Sequence, residues 1–442
     1  MRPTILVADE SGDDGAFTAA GHLGISGRTP ELLPGLTVEA ELSVLLVFSS
    51  RVHDPAFAVA DNSSYLRLHW KPAAWSDDEG LSLTVLPLHA ERLYLGYEFP
   101  LTDDLDAIGQ SPVTGAELRL ARERWYVFAS FKTENAENFQ VHEEERQVTF
   151  FGGAGVDLFS ALRIEAEGAR AEEGFNPEEQ VLGLPIAEWG VAARVMFHRG
   201  LSIGPQTDYA RYQRDPAVWE KLLQPELYDD ALSASVAAEL LYVKQGGLAS
   251  TENFGWAVTQ SAPGYALDAR LKWRRTRFYL RAQVRSLALI QADALGFPAD
   301  EAFSSSDELG DELSATVAAD HAFELTHLTP GIEAGLTRPA SFTPPPRFGG
   351  NNPSNEFSGT RAVVFTDTNQ FEALPVDAEP GLIAFAKLSL RWDLARFSAL
   401  AEASYRHDAN QTAFVSNQLG VGEPAFANSS SFTFDVLVQA RF

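Results

Sequence analysis

Apolar and polar residues alternate with a period of two in segment after segment of this 442-residue chain, and that alternation limits its folds more than any other feature. Successive side chains of a strand point to opposite faces, so each such segment reads as a strand with one apolar and one polar face. In the final segment Phe432, Phe434, Val436, Val438, Ala440 and Phe442 share one face, and Thr433, Asp435, Leu437, Gln439 and Arg441 share the other. Clear examples upstream are Val38 to Phe48, Arg92 to Phe99, Trp189 to Phe197, Leu232 to Tyr242, Tyr265 to Trp273, Phe278 to Ser286 and Ile383 to Trp392. Tight joints such as Glu123-Arg124, Arg274-Arg275-Thr276 and Asp393-Leu394-Ala395 alternate with long polar stretches such as 103–114, 133–146, 171–184, 292–311 and 408–430.

The last segment resembles the closing strand of Gram-negative outer-membrane β-barrel proteins, which typically end in Phe preceded by apolar residues at every second position. Phe442, Val438, Val436 and Phe434 carry the resemblance as a membrane-insertion signal; Ala440 departs from it where the family often has an aromatic. The resemblance implies export, recognition by barrel-assembly machinery, contact with outer-membrane lipid and lipopolysaccharide and, most often, passive diffusion of small solutes. Short turns on one side and long loops on the other are the asymmetry of such barrels. The pattern therefore predicts an all-β fold, a transmembrane antiparallel up-and-down β-barrel of about 18 strands, within a range of about 16–20.

Composition is compatible with this. Mean hydropathy is only -0.12, and no apolar run reaches the roughly 18 residues of a membrane-crossing helix. A barrel escapes that test because only alternate residues meet lipid. With 34 basic and 61 acidic residues the formal charge is -27, which argues against nucleic acid. Cysteine is absent, which removes disulfides and thiolate chemistry. Ile5 to Ala8 is too short an apolar core for a signal peptide, so an export signal is expected to have been removed.

Residues 1–14 read as an N-terminal segment and 15–442 as one barrel domain. Two stretches break the alternation: Asp215 to Asp229, with helical spacing, and 339–381, which contains Pro344-Pro345-Pro346 and Asn351-Asn352. The second is long enough to fold into the lumen or cap it, with a short strand near Arg361 to Thr366; a disordered outer loop is the alternative.

If apolar faces meet lipid, the opposite faces line the lumen. Arg270, Lys272 and Arg274 fall on the polar face of one strand, and Arg277, Arg281 and Arg285 on that of the next. A hairpin brings these six cations together. Arg163, Arg194, Lys387 and Arg391 are further inward cations, and Glu165, Glu167, Glu239, Asp320, Glu333 and Glu402 inward acids. For any single Arg and Glu, mutual neutralisation across strands is the simpler expectation. Acids in the outer segments, including Asp103, Glu143 to Glu145, Glu178 and Asp307, offer oxygen ligands for divalent cations, or a solvated repulsive surface.

No HExxH or Walker pattern occurs, so an enzyme is not expected, nor a cofactor, and no metal site is defined. The leading expectation is a porin-like channel for small polar or anionic solutes through an Arg-rich lumen. The alternatives are an export conduit for an acidic polysaccharide, resembling the alginate-export barrels, and a non-conducting anchor or assembly partner in an envelope complex.

Overall fold

The computed structural model describes residues 2–9, 18–51, 54–61, 64–76, 79–90, 93–99, 101, 113–138, 143–175, 182–199, 232–250, 256–294, 308–343, 361–367, 370–394, 397–416 and 422–440. The wall opens with β1 (Arg2–Asp9), β2 (Thr18–Arg28) and β3 (Leu36–Arg51). β4 (Asp54–Asp61) and β5 (Tyr65–Trp70) lie end to end along one flank of β3. β6 (Gly80–Leu86), β7 (Gly115–Arg122), β8 (Trp125–Asn138), β9 (Glu143–Phe159) and β10 (Leu162–Phe175) follow as antiparallel neighbours. The meander continues through β11 (Pro185–Arg199), β12 (Leu232–Leu248), β13 (Val258–Trp273) and β14 (Thr276–Arg285).

Helix α1 (Leu287–Ala294) and β15 (Glu308–Gly310) interrupt it before β16 (Glu312–His321) and β17 (Leu328–Arg338). β18 (Ala340–Thr343), β19 (Val363–Asp367) and β20 (Gln370–Ala373) then join β15 in a separate four-stranded sheet. β21 (Ile383–Leu394) and β22 (Phe397–Asp408) return to the wall, and β23 (Thr412–Ser416) pairs with β24 (Gly422–Phe426) in a hairpin outside it. β25 (Ser430–Ala440) is the last stave.

The large sheet closes on itself. β1 pairs antiparallel with β2, Leu6 opposite Ala20, and with β25, Leu6 opposite Leu437. Nineteen strands belong to it, and because β4 and β5 share one position the barrel has eighteen. Residues 2–9 are therefore a wall strand and not part of a segment standing apart, which corrects the expected boundary at residue 14. Their unbroken Ile-Leu-Val-Ala run lacks the alternation that marks the other staves.

The outer surface is apolar. Trp70, Trp125, Trp273 and Trp392 are all between 42 and 56% exposed, at the strand ends that lead into short turns. Phe131, Phe150, Trp189, Tyr265 and Phe432 form a second aromatic ring nearer the long-loop ends, with Leu, Val and Ile between the two. An outward apolar band flanked by two aromatic girdles, on an even number of antiparallel strands with no free edge, is how a sheet crosses a lipid bilayer. No helix among the described residues is long and apolar enough to cross.

Arg92 to Phe99 is not a wall strand, although its alternation suggested one. Residues 93–99 lie inside the barrel, where Leu93 and Leu95 are 5% and 2% exposed. β6 pairs directly with β7 instead, and the count of eighteen includes β1, which lies between β2 and β25. The helix expected over Asp215 to Asp229 lies outside the described residues.

Candidate functional site

Where the chain leaves β6 it turns inward instead of outward. Leu95 and Leu101 exchange backbone hydrogen bonds, N to O at 3.0 and 2.7 Å, so residues 95–99 and Leu101 belong to a small hairpin within the lumen. Gly96 at its tip has φ +98°, a conformation that L side chains rarely adopt. Leu86, Ala90, Leu93, Leu95, Phe99, Leu101 and Val113 pack in one cluster with Phe151, Ala192, Leu241, Val243, Ala262 and Ala266 of the inner wall. Those wall residues sit at inward positions that would ordinarily be polar in a water-filled barrel. Gly190 makes room for the loop: a Cβ there would lie 2.4 Å from Leu95 Cδ2.

Polar contacts hold the tip. The Gly96 N–H donates to Glu167 Oε1 at 2.5 Å, the Tyr97 N–H to Glu239 Oε1 at 2.9 Å and the Glu98 N–H to Glu239 Oε2 at 2.6 Å. Glu167 stands on β10 and Glu239 on β12; between them on β11, Arg194 donates to Glu165 Oε2 at 2.6 Å and lies 4.3 Å from the Tyr97 ring centre. Glu165 also accepts the Tyr126 hydroxyl at 2.8 Å. Burial, then the Glu167 charge, pushes the Tyr97 phenol up, so it stays protonated at any ordinary pH. Glu98 reaches across to Arg281 at 3.4 Å.

Helix α1 backs the loop. The Ser286 hydroxyl caps it, accepting from the Leu289 N–H at 3.3 Å. Ala288 and Leu289 join the lumen cluster, with Leu289 over Gly264, whereas Leu287 and Ile290 pack with Ala340 and Phe365 of the outer four-stranded sheet. β18 and β19, within 339–381, thus pack on α1, and the described residues that fill the lumen beside the wall come from 86–101, Val113 and α1.

β13 and β14 pair as a hairpin, which brings together five of the six cations read from the spacing. Lys272 stands opposite Arg277, Arg270 opposite Tyr279, and Asp268 opposite Arg281. Arg274, at φ 55° in the turn, lies with its guanidinium 5.6 Å from the Trp273 ring centre, at the end of the wall. The others are interleaved with acids. Arg277 makes a two-pronged pair with Asp320, both arms 2.7 Å, and Arg285 makes one with Glu312 at 2.9 and 3.1 Å. Arg270 lies 3.6 Å from Asp268, and Lys272 is buried. Arg163 is clamped to Asp157 at 2.6 and 2.8 Å, Arg391 to Asp393 at 2.7 Å, and Lys387 sits between Glu333 at 3.0 Å and Glu402 at 3.7 Å.

Of the insertion signal, Phe434 is exposed on the outer face and Val436 and Val438 are half-buried, while Phe442 lies outside the described residues. Among the described residues no group of three His, Asp or Glu is arranged to hold a metal ion. The inward loop is the feature that alternation could not reveal. Its trace in the sequence is Leu240-Leu241-Tyr242-Val243, a stave apolar on both faces, which a barrel needs only where something dry covers the inner one.

No protein-family model and no curated protein matches the sequence. Solved structures do resemble the fold. The outer membrane protein OprD from Pseudomonas aeruginosa is 8% identical, with 99% of this chain and 93% of that one covered and a TM-score of 0.47. Pseudomonas aeruginosa OccK5 (OpdH) is 8% identical over 99% and 95%, TM-score 0.49, and the outer membrane protein opdK of the same organism 10% identical over 100% and 98%, TM-score 0.47.

Proposed function

We propose that the protein is an outer-membrane channel for passive diffusion of small polar or anionic solutes. One observation carries this reading: within a closed wall, the inward charges of β17, β21 and β22 remain accessible to solvent. The Lys387 and Glu333 side chains are each 29% exposed, and that of Arg406 37%. Inward charges that water reaches make an aqueous lumen, and facing rows of opposite sign create a field that orients polar solutes. The clamped loop narrows this lumen from the side of β6 to β14. The preference for anions rests on Arg277, Arg281, Arg285 and Arg391, whose guanidinium donors suit a solute carboxylate or phosphate as well as their wall partners.

The test is conductance of the purified protein in planar bilayers. Discrete steps are expected, with a reversal potential in a salt gradient that favours chloride over potassium. Absence of steps defeats the channel and leaves the non-conducting anchor; steps with a strong potassium preference defeat the anionic reading.

A further inference from the structure

We infer that Glu167 and Glu239 are positioning residues that set the constriction: by holding the 95–101 hairpin against the wall they also bring Glu98 to Arg281, so one latch fixes both the width and the charge of the passage. The inference rests on the channel reading for its consequence, though the latch itself is a statement about geometry. Three consecutive backbone N–H groups, from Gly96, Tyr97 and Glu98, converge on two carboxylates that come from strands two positions apart. Successive amides aimed at one anion form a concave nest, and the positive φ of Gly96 is what turns the first of them inward. A Cβ at Gly96 would stand 2.2 Å from the Phe99 carbonyl oxygen, so this tip closes only around glycine.

The choice of carboxylate is informative. Glu239 is 5% exposed, and burying an ionised group costs far more than burying a hydroxyl unless strong hydrogen bonds repay it. Hydrogen bonds to a charged acceptor are roughly twice as strong as neutral ones. Arg194 spends its donors on Glu165, and the loop amides are the hydrogen-bonding partners of Glu167 and Glu239 seen at the tip. The apolar packing of Leu93 and Leu95 would dock the loop somewhere on this wall; the latch fixes where its tip stops. At that stop the Glu98 carboxylate faces Arg281, beside Asp268 and Arg270, and so offsets the densest group of lumen cations. Release of the tip widens the passage and uncovers Arg281 in one step.

The cysteine-free chain permits a direct test. Ala90, fully buried beneath the loop, is changed to Cys and labelled with a small charged thiol reagent in the folded, detergent-solubilised barrel. Labelling should be slow in the parent and at least about tenfold faster with Glu167→Gln and Glu239→Gln together, because labelling follows the population of the opened loop. In bilayers the same double variant should give larger, noisier steps and a reversal potential moved toward anions. Glu239→Asp, which keeps the carboxyl group, should restore part of both. Gly96→Ala attacks the latch from the loop side and should reproduce the phenotype if the wall variant folds poorly. Unchanged protection of Ala90→Cys in both variants overturns the latch. Release by labelling with no change in conductance or reversal potential overturns its control of the passage. A parent protein that never conducts, yet shows the labelling change, removes the channel reading and leaves the latch standing.

Discussion

At the short-turn rim Glu79 ties two turns together. Its Oε2 accepts the Ser76 N–H at 2.8 Å, and its Oε1 accepts the Glu123 N–H at 2.8 Å and Arg122 Nε at 2.9 Å. The Arg122 guanidinium in turn lies 4.0 Å from the Trp75 ring centre. The Ser76 amide, then the Glu123 amide and Arg122, hold the carboxyl at about 2 against an ordinary 4.5. A carboxyl whose folded value is depressed stabilises the fold fully above its unfolded value and loses that contribution as pH falls toward the folded one. Glu79→Gln should therefore lower the unfolding temperature in detergent near neutral pH, and the gap to the parent should shrink between about pH 4.5 and about pH 2. A gap that stays constant over that window would show that the carboxylate charge contributes nothing there. The same cluster explains why a nine-residue connection between β5 and β6 can serve as a turn on the side where most joints are short.

Among the elements, α1 is the one whose two faces look in different directions. Leu289 is 1% exposed against Phe99 and Gly264, while Leu287 and Ile290 grip the outer sheet. Leu289→Ala removes packing that in a well-ordered core costs about 2–5 kcal/mol. Here the loss should fall on loop docking and not on the barrel, whose ladder does not pass through α1. Hydrogen exchange of residues 93–99 should quicken while the β10 to β12 ladder stays protected; equal loss in both would mean that loop and wall unfold together. The loop was hidden from the sequence because alternation reports one dry face and one wet face without saying what makes the first dry. Leu93, Leu95, Tyr97 and Phe99 alternate as a lipid-facing strand would, yet the dry surface is the inner wall. The Gly96 and Pro100 punctuation fits a tight hairpin better than a stave. Glu167, Glu239 and Arg194 were legible as inward residues, because facing follows from parity within a strand. Their partners were not, since 71 and 142 residues separate them from the amides they meet.

For the whole molecule the decisive contact is the seam. The polar and apolar faces of fifteen or more staves could be read from the chain, as could the hairpin that gathers Arg270, Lys272, Arg277, Arg281 and Arg285, because both depend on neighbours in sequence. Closure depends on the two ends of the chain meeting, and no local pattern encodes that. From Thr4 to Ala8 β1 has neighbours on both sides, with Leu6 opposite Ala20 of β2 and Leu437 of β25, so each amide there faces one ladder or the other. Proline at position 6 removes a donor from whichever strand that amide faces, and at membrane depth no water replaces the bond, so the orphaned carbonyl costs several kcal/mol. β4 differs: among the described residues it pairs with β3 alone, and it already contains Pro55. Leu6→Pro should abolish the compact electrophoretic form that a closed barrel keeps in unheated detergent, whereas Ala58→Pro on β4 should leave it intact. If the two substitutions behave alike, β1 is not the strand that seals the wall, and the aqueous lumen inferred from its closure loses its boundary.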